Sequence, residues 1–108
     1  MRAALYVWSM AGLKERMIAG IGTAAIREVA ESHGATRVRV FGSFVRGDDH
    51  LHSNLDLLIE LKPGRSLLDL IAIKQDLEDL LGVRVDVVTE RSISPYMRDA
   101  VLKDAVAL

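Results

Sequence analysis

No cysteine occurs in the 108 residues, which removes disulfides, thiolate zinc sites and cysteine nucleophiles from consideration. That absence fits a reducing compartment, and the cytoplasm is the expected location. Charge of one sign is also lacking: 14 Lys and Arg against 15 Asp and Glu leave a formal net charge of −1. The basic surplus that drives affinity for a phosphate backbone is missing, so no direct binding of nucleic acid is expected. Long hydrophobic runs are missing too. The longest weakly polar stretch, Ala3 to Leu13, is interrupted by Ser9 and Gly12 and ends at Lys14-Glu15-Arg16, well short of the ~20 apolar residues of a membrane span. No membrane partner is expected. The same triplet, with no small-x-small cleavage site before it, argues against a signal peptide even though Arg2 precedes an apolar run. Repeats, linkers and low-complexity tracts are absent, and the length suits one core rather than two.

Half of the residues are apolar and 27% are charged, the balance of an ordinary globular domain. Residues 1–11 are poorly patterned and read as an N-terminal extension, with Met10 and Met17 as later candidate starts; either it is disordered, or Leu5, Tyr6, Val7 and Trp8 are contact residues for a partner. Residues 12–108 read as the single domain. From Leu13, apolar residues at Met17, Ile18, Ile21, Ala25, Val29 and Ala30 recur at helical spacing up to Gly34. Arg37-Val38-Arg39-Val40-Phe41 alternates as a half-buried strand and stops at Gly42-Ser43. A polar connection over residues 44–54 leads to a second strand, Leu55 to Leu61. Pro63-Gly64 is a turn, and Ser66 with Asp69 forms a capping signature for a helix that runs to Leu81 and is closed by Gly82. The leucines of this helix read as core. A third strand covers Val83 to Val88, and Ser94-Pro95 opens a last helix through about Lys103, on which Tyr96 and Met97 read as packing residues. Residues 105–108 suit a short strand. The order predicts an α/β or α+β fold, a small mixed sheet packed by helices.

Three features ask for more than packing. Asp56 stands inside Leu55-Asp56-Leu57-Leu58-Ile59 and Asp86 inside Val85-Asp86-Val87-Val88. Carboxylates are depleted in strands and are rarely buried unless paired or bound to metal. Two of them on neighbouring strands could converge on one cation, and magnesium is commonly held by one or two carboxylates together with substrate phosphates. Gly42-Ser43 follows a strand, where Gly lets the backbone come close and Ser43 offers a hydroxyl and an N–H to a phosphate. Each feature alone is compatible with a turn or a solvated edge; together, in this order, they suggest a nucleotide site. Arg46 could steer a phosphate or be solvated. Asp48, Asp49, His50 and His52 suit a metal cluster by residue type, a composition that polar loops share.

Phe41-Gly42-Ser43-Phe44-Val45-Arg46-Gly47, then Ser53-Asn54-Leu55-Asp56-Leu57-Leu58-Ile59, and later Val85-Asp86-Val87-Val88 resemble the minimal nucleotidyltransferase (MNT) branch of the polymerase-β-like nucleotidyltransferases. The resemblance extends over roughly residues 13–108 and includes the tail from Tyr96 to Val106. It implies a polymerase-β-like core, with Gly42, Ser43 and Arg46 binding the nucleotide, Asp56 holding Mg2+, and Asp86 as a third carboxylate that also helps to activate the attacking hydroxyl. One position departs from the pattern: where the first motif Asp belongs, after the ten residues that follow Ser43, the chain has Asn54. A neutral amide bridges two metals poorly, so catalysis should suffer more than the fold.

The resemblance implies transfer of AMP from MgATP to a hydroxyl. Members of this size resemble the antitoxin half of HEPN/MNT toxin–antitoxin modules, which would adenylylate a tyrosine of a HEPN ribonuclease toxin. A core this small has little room for its own acceptor-binding domain, so a partner protein or a second copy would supply that surface in a homo- or hetero-oligomer. The alternatives are a small-molecule nucleotidyltransferase of the aminoglycoside-modifying type, and a non-catalytic antitoxin that acts by binding alone.

Overall fold

The computed structural model describes residues 21–42 and 55–108. The expected start of the first helix, the N-terminal extension and the polar connection lie outside the described residues. Within them the order is α1 (Ile21–Ser32), β1 (Ala35–Phe41), β2 (Leu55–Leu61), α2 (Leu67–Leu81), β3 (Val85–Val88), a 3-10 turn (Glu90–Ser92), α3 (Pro95–Asp104) and β4 (Val106–Ala107). The strands form one mixed sheet in the order β3-β2-β1-β4. β1 runs antiparallel to both β2 and β4, whereas β2 and β3 are parallel. This is the expected α+β architecture. Among the described residues no helix is long and apolar enough to cross a membrane.

Strand alternation divides the sheet into two faces. Val38 and Val40 of β1, Leu55, Leu57 and Ile59 of β2, and Val85 of β3 share one face with Ile26 and Ala30 of α1 and Ile73, Leu77 and Leu81 of α2, and together they make the main core. Each large side chain of this set contributes about 1.5–3 kcal/mol by leaving water. The opposite face carries Arg39, Leu58, Asp56 and Asp86, with the 3-10 turn and α3 packed over part of it.

Local chemistry sets the ends of the helices. Ser66 caps α2 by accepting from the Leu68 N–H at 3.2 Å, and the Ser66 N–H donates to Asp69 Oδ2 at 3.0 Å. This reciprocal pair is the capping box that the sequence predicts. At the other end Gly82 adopts φ 69°, where its N–H donates to the Glu78 carbonyl. Ser94 caps α3 ahead of Pro95. Where α1 ends, His33 Nε2 lies 2.7 Å from Asp76 Oδ2 and ties the first helix to α2.

Three expectations need correction. Only Ile73, Leu77 and Leu81 of α2 are buried; Leu67, Leu68, Ile71 and Leu80 are exposed, because one helix in a two-layer fold covers the sheet with a single stripe. Tyr96 is 97% exposed and Met97 59%, because α3 buries a later residue, Val101, rather than its first turn. Finally, alternation would put both β1 arginines in solvent, yet Arg39 is buried beneath the 3-10 turn. Its guanidinium donates to Glu90 Oε1 at 3.0 Å, and Arg98 reaches the same carboxylate at 3.5 Å.

Candidate active site

Asp56 is the second residue of β2 and Asp86 the second of β3, and the parallel register makes them direct partners, one rung from Leu55 and Val85. Their neighbours Leu55, Leu57 and Val85 point into the main core. Both carboxylates therefore leave the sheet on the opposite face, side by side, at the end where β2 and β3 begin. Antiparallel pairing brings the end of β1 to the same place: Phe41 is the partner of Asp56, and Gly42 follows it. Gly42 has φ +82°, and a Cβ built there would collide with Asp56 Oδ2. The turn after β1 thus lies against the Asp56 carboxylate, in a conformation and at a distance that favour glycine.

Of the six residues singled out by sequence, the structure brings together Gly42, Asp56 and Asp86. Ser43, Arg46 and Asn54 lie outside the described residues, as do Asp48, Asp49, His50 and His52. Among the described residues no group of three or more His, Cys, Asp or Glu side chains is placed to hold a metal; the pair of carboxylates is what this region supplies.

Sequence reasoning missed two residues that bond to the backbone next to Asp86. Lys74 Nζ donates to the Val85 carbonyl at 2.8 Å and lies 3.0 Å from Glu78 Oε2, which accepts from the Val85 N–H at 3.0 Å. The Val85 N–H, and after it Lys74, hold the Glu78 carboxyl below its ordinary range. A signal existed in the sequence: Lys74 interrupts the apolar positions of α2, with Glu78 one turn further on.

Comparison with known proteins gives a consistent picture. Residues 24–108 match the family model of the nucleotidyltransferase domain. Protein adenylyltransferase MntA of Thermococcus cleftensis is 38% identical over 97 residues, covering 90% of this chain and 98% of that protein. A Methanocaldococcus jannaschii relative named for protein adenylyltransferase activity, MJ0435, is 45% identical over 74 residues, or 68% of this chain and 80% of its own length. A solved structure described as a minimal nucleotidyltransferase superposes with a TM-score of 0.76 at 46% identity, covering 88% of this chain and 95% of that one. The fold is also shared, at 21% identity and a TM-score of 0.68 over 79% of this chain and 70% of that one, with a toxin–antitoxin structure containing AMP-PNP. A Shewanella oneidensis complex of a tri-AMPylated HEPN toxin with its MNT antitoxin shares it at 17% identity and a TM-score of 0.60, over 79% of this chain and 66% of that one.

Proposed function

The chain belongs to the nucleotidyltransferase-domain family, in its minimal branch, and from that premise we propose that it is an antitoxin adenylyltransferase that moves AMP from MgATP to a tyrosine hydroxyl of a HEPN ribonuclease, with transfer impaired by Asn54. The observation that carries this reading is the rung shared by Asp56 and Asp86 beside the Gly42 turn. Adjacent carboxylates are hard anionic donors, the set that suits magnesium, and a bound magnesium ion would neutralise charge on a triphosphate. Asp56 and Asp86 would hold it, with Asn54 as a neutral third donor. The backbone N–H groups of Gly42 and Ser43 would donate to phosphate oxygens, with the Ser43 hydroxyl and Arg46 as further contacts. In the transfer, the phenolic oxygen bonds to the α-phosphorus as the α–β anhydride bond breaks and pyrophosphate leaves. Asp86 would take the phenolic proton.

The partner assignment rests on two supports. Relatives spanning most of the chain are named protein adenylyltransferases, and the domain fold recurs in an MNT antitoxin bound to a HEPN toxin. Restoring the missing carboxylate tests the proposal. Asn54→Asp should raise AMP transfer to the partner tyrosine by orders of magnitude, because a metal clamp supplies several kcal/mol of transition-state stabilisation. Radiolabelled ATP with the HEPN partner is the assay. Label on an aminoglycoside instead would turn the assignment to a small-molecule enzyme, and label nowhere would leave an antitoxin that acts by binding alone.

A further inference from the structure

Among the described residues β3 is an edge strand of only four residues, paired on one side with β2. The Leu55 N–H donates to the Arg84 carbonyl at 2.9 Å, so the polar groups of Arg84 face β2. Alternation then turns the N–H and carbonyl of Val85 to the open side, where an edge strand has no ladder partner. Two side chains of α2 take them instead. Glu78 Oε2 accepts from the Val85 N–H at 3.0 Å, Lys74 Nζ donates to the Val85 carbonyl at 2.8 Å, and the two side chains bond to each other at 3.0 Å. They act as an artificial rung on the outer side of β3. The carbonyl that Lys74 holds belongs to the peptide unit whose nitrogen is that of Asp86. That unit is fixed from outside by Lys74, while the Asp56–Asp86 pairing fixes the strand from inside.

We infer that Lys74 and Glu78 are positioning residues for Asp86: they lock the start of an otherwise one-sided strand so that the Asp86 carboxylate stays level with that of Asp56. The inference rests on the reading of Asp86 as a metal-holding carboxylate and adds to it a control from outside the site. A four-residue edge strand has few rungs of its own, and a shift of about 1 Å in a catalytic group can cost about a hundredfold in rate. Groups that orient metal-holding side chains typically contribute about 10–100-fold to metal affinity. The chemistry also says which change is tolerated. Glu78→Gln keeps a carbonyl oxygen that can accept from both the Val85 N–H and Lys74, whereas Glu78→Ala and Lys74→Met remove a bond from the rung.

The test is direct binding of Mn2+, followed by the paramagnetic signal of the free ion, to the full chain saturated with AMP-PNP, at a temperature well below each variant's melting point. Asp86→Asn is the reference for loss of the site. Glu78→Ala and Lys74→Met are expected to weaken Mn2+ binding by about tenfold or more, with Glu78→Gln close to the parent. A merely structural rung would lower the melting temperature and leave the affinity of the folded protein unchanged. If Asp86→Asn weakens binding and Lys74→Met does not, the positioning inference is wrong and the site stands. If Asp86→Asn itself binds like the parent, the assignment of the site fails and the inference goes with it. Should Glu78→Ala not fold, Lys74→Met decides: the side chain is 42% exposed, and its removal leaves the Val85 carbonyl open to water at the sheet edge.

Discussion

Gly42 is the residue where backbone and chemistry meet most closely. Its φ of +82° is one that L side chains rarely adopt, and its missing Cβ is what lets the Asp56 carboxylate sit against the turn. Gly42→Ala is therefore expected to destabilise the fold by about 1–3 kcal/mol through backbone strain. It should also displace Asp56 and so weaken ATP binding, as denaturant melts and calorimetric titration would show. A variant that melts early yet binds ATP like the parent would separate the strain from the site. Asp56 and Asp86 were legible in the sequence because a carboxylate within an apolar strand demands a reason. Their shared rung was not, since strand register depends on partners that the local sequence does not name. Arg39 shows the same limit: alternation assigns it to the face opposite Val38 and Val40, but the 3-10 turn, which brings the Glu90 carboxylate to its guanidinium, and α3 are what cover that face.

At the scale of elements, the helix ends were the most legible part of the fold, because caps are local chemistry. Ser66, Asp69, Gly82, Ser94 and Pro95 do what their side chains and φ preferences dictate. Ser66→Ala should cost about 1 kcal/mol, readable as a lower midpoint in urea, whereas Leu68→Lys at a 75% exposed position should stay within about 0.5 kcal/mol of the parent. Which leucines of α2 are core was not legible, since nearly any stripe of so apolar a helix could face the sheet and tertiary packing makes the choice. Acid should act at the junction of α2 and β3. The Val85 N–H and Lys74 depress Glu78 below its ordinary 4.5, and a carboxyl with a lowered pKa in the folded state adds stability above the unfolded value that is lost as pH falls through the folded one. The melting temperature of the parent should accordingly drop more steeply than that of Glu78→Gln as pH falls below about 4.5. Parallel curves would mean that the ionised rung adds no stability.

For the whole molecule, holding a partner and modifying it draw on different parts of the fold. An acceptor tyrosine must be kept near the α-phosphate in an aligned geometry, and that alignment comes from docking surface as much as from the groups around the metal. Among the described residues, the main core of α1, α2 and the sheet contains neither Asp56 nor Asp86, and under the proposed function the exchange of one ligand for its isosteric amide is expected to spare the scaffold. Under the proposed function, the Asn54 chain is expected to form a stable complex with its HEPN ribonuclease although its transfer chemistry is impaired, and Asn54→Asp should leave the affinity of that complex nearly unchanged while restoring transfer. Co-expression followed by sizing, with an RNA-cleavage assay on the product, checks both halves. Co-elution of the two proteins at micromolar concentration, with equal retention for Asn54 and its Asp variant, is the expected result. Separate species with the ribonuclease still active would remove the support for an antitoxin and favour an acceptor that needs no protein docking, a small molecule bearing a hydroxyl.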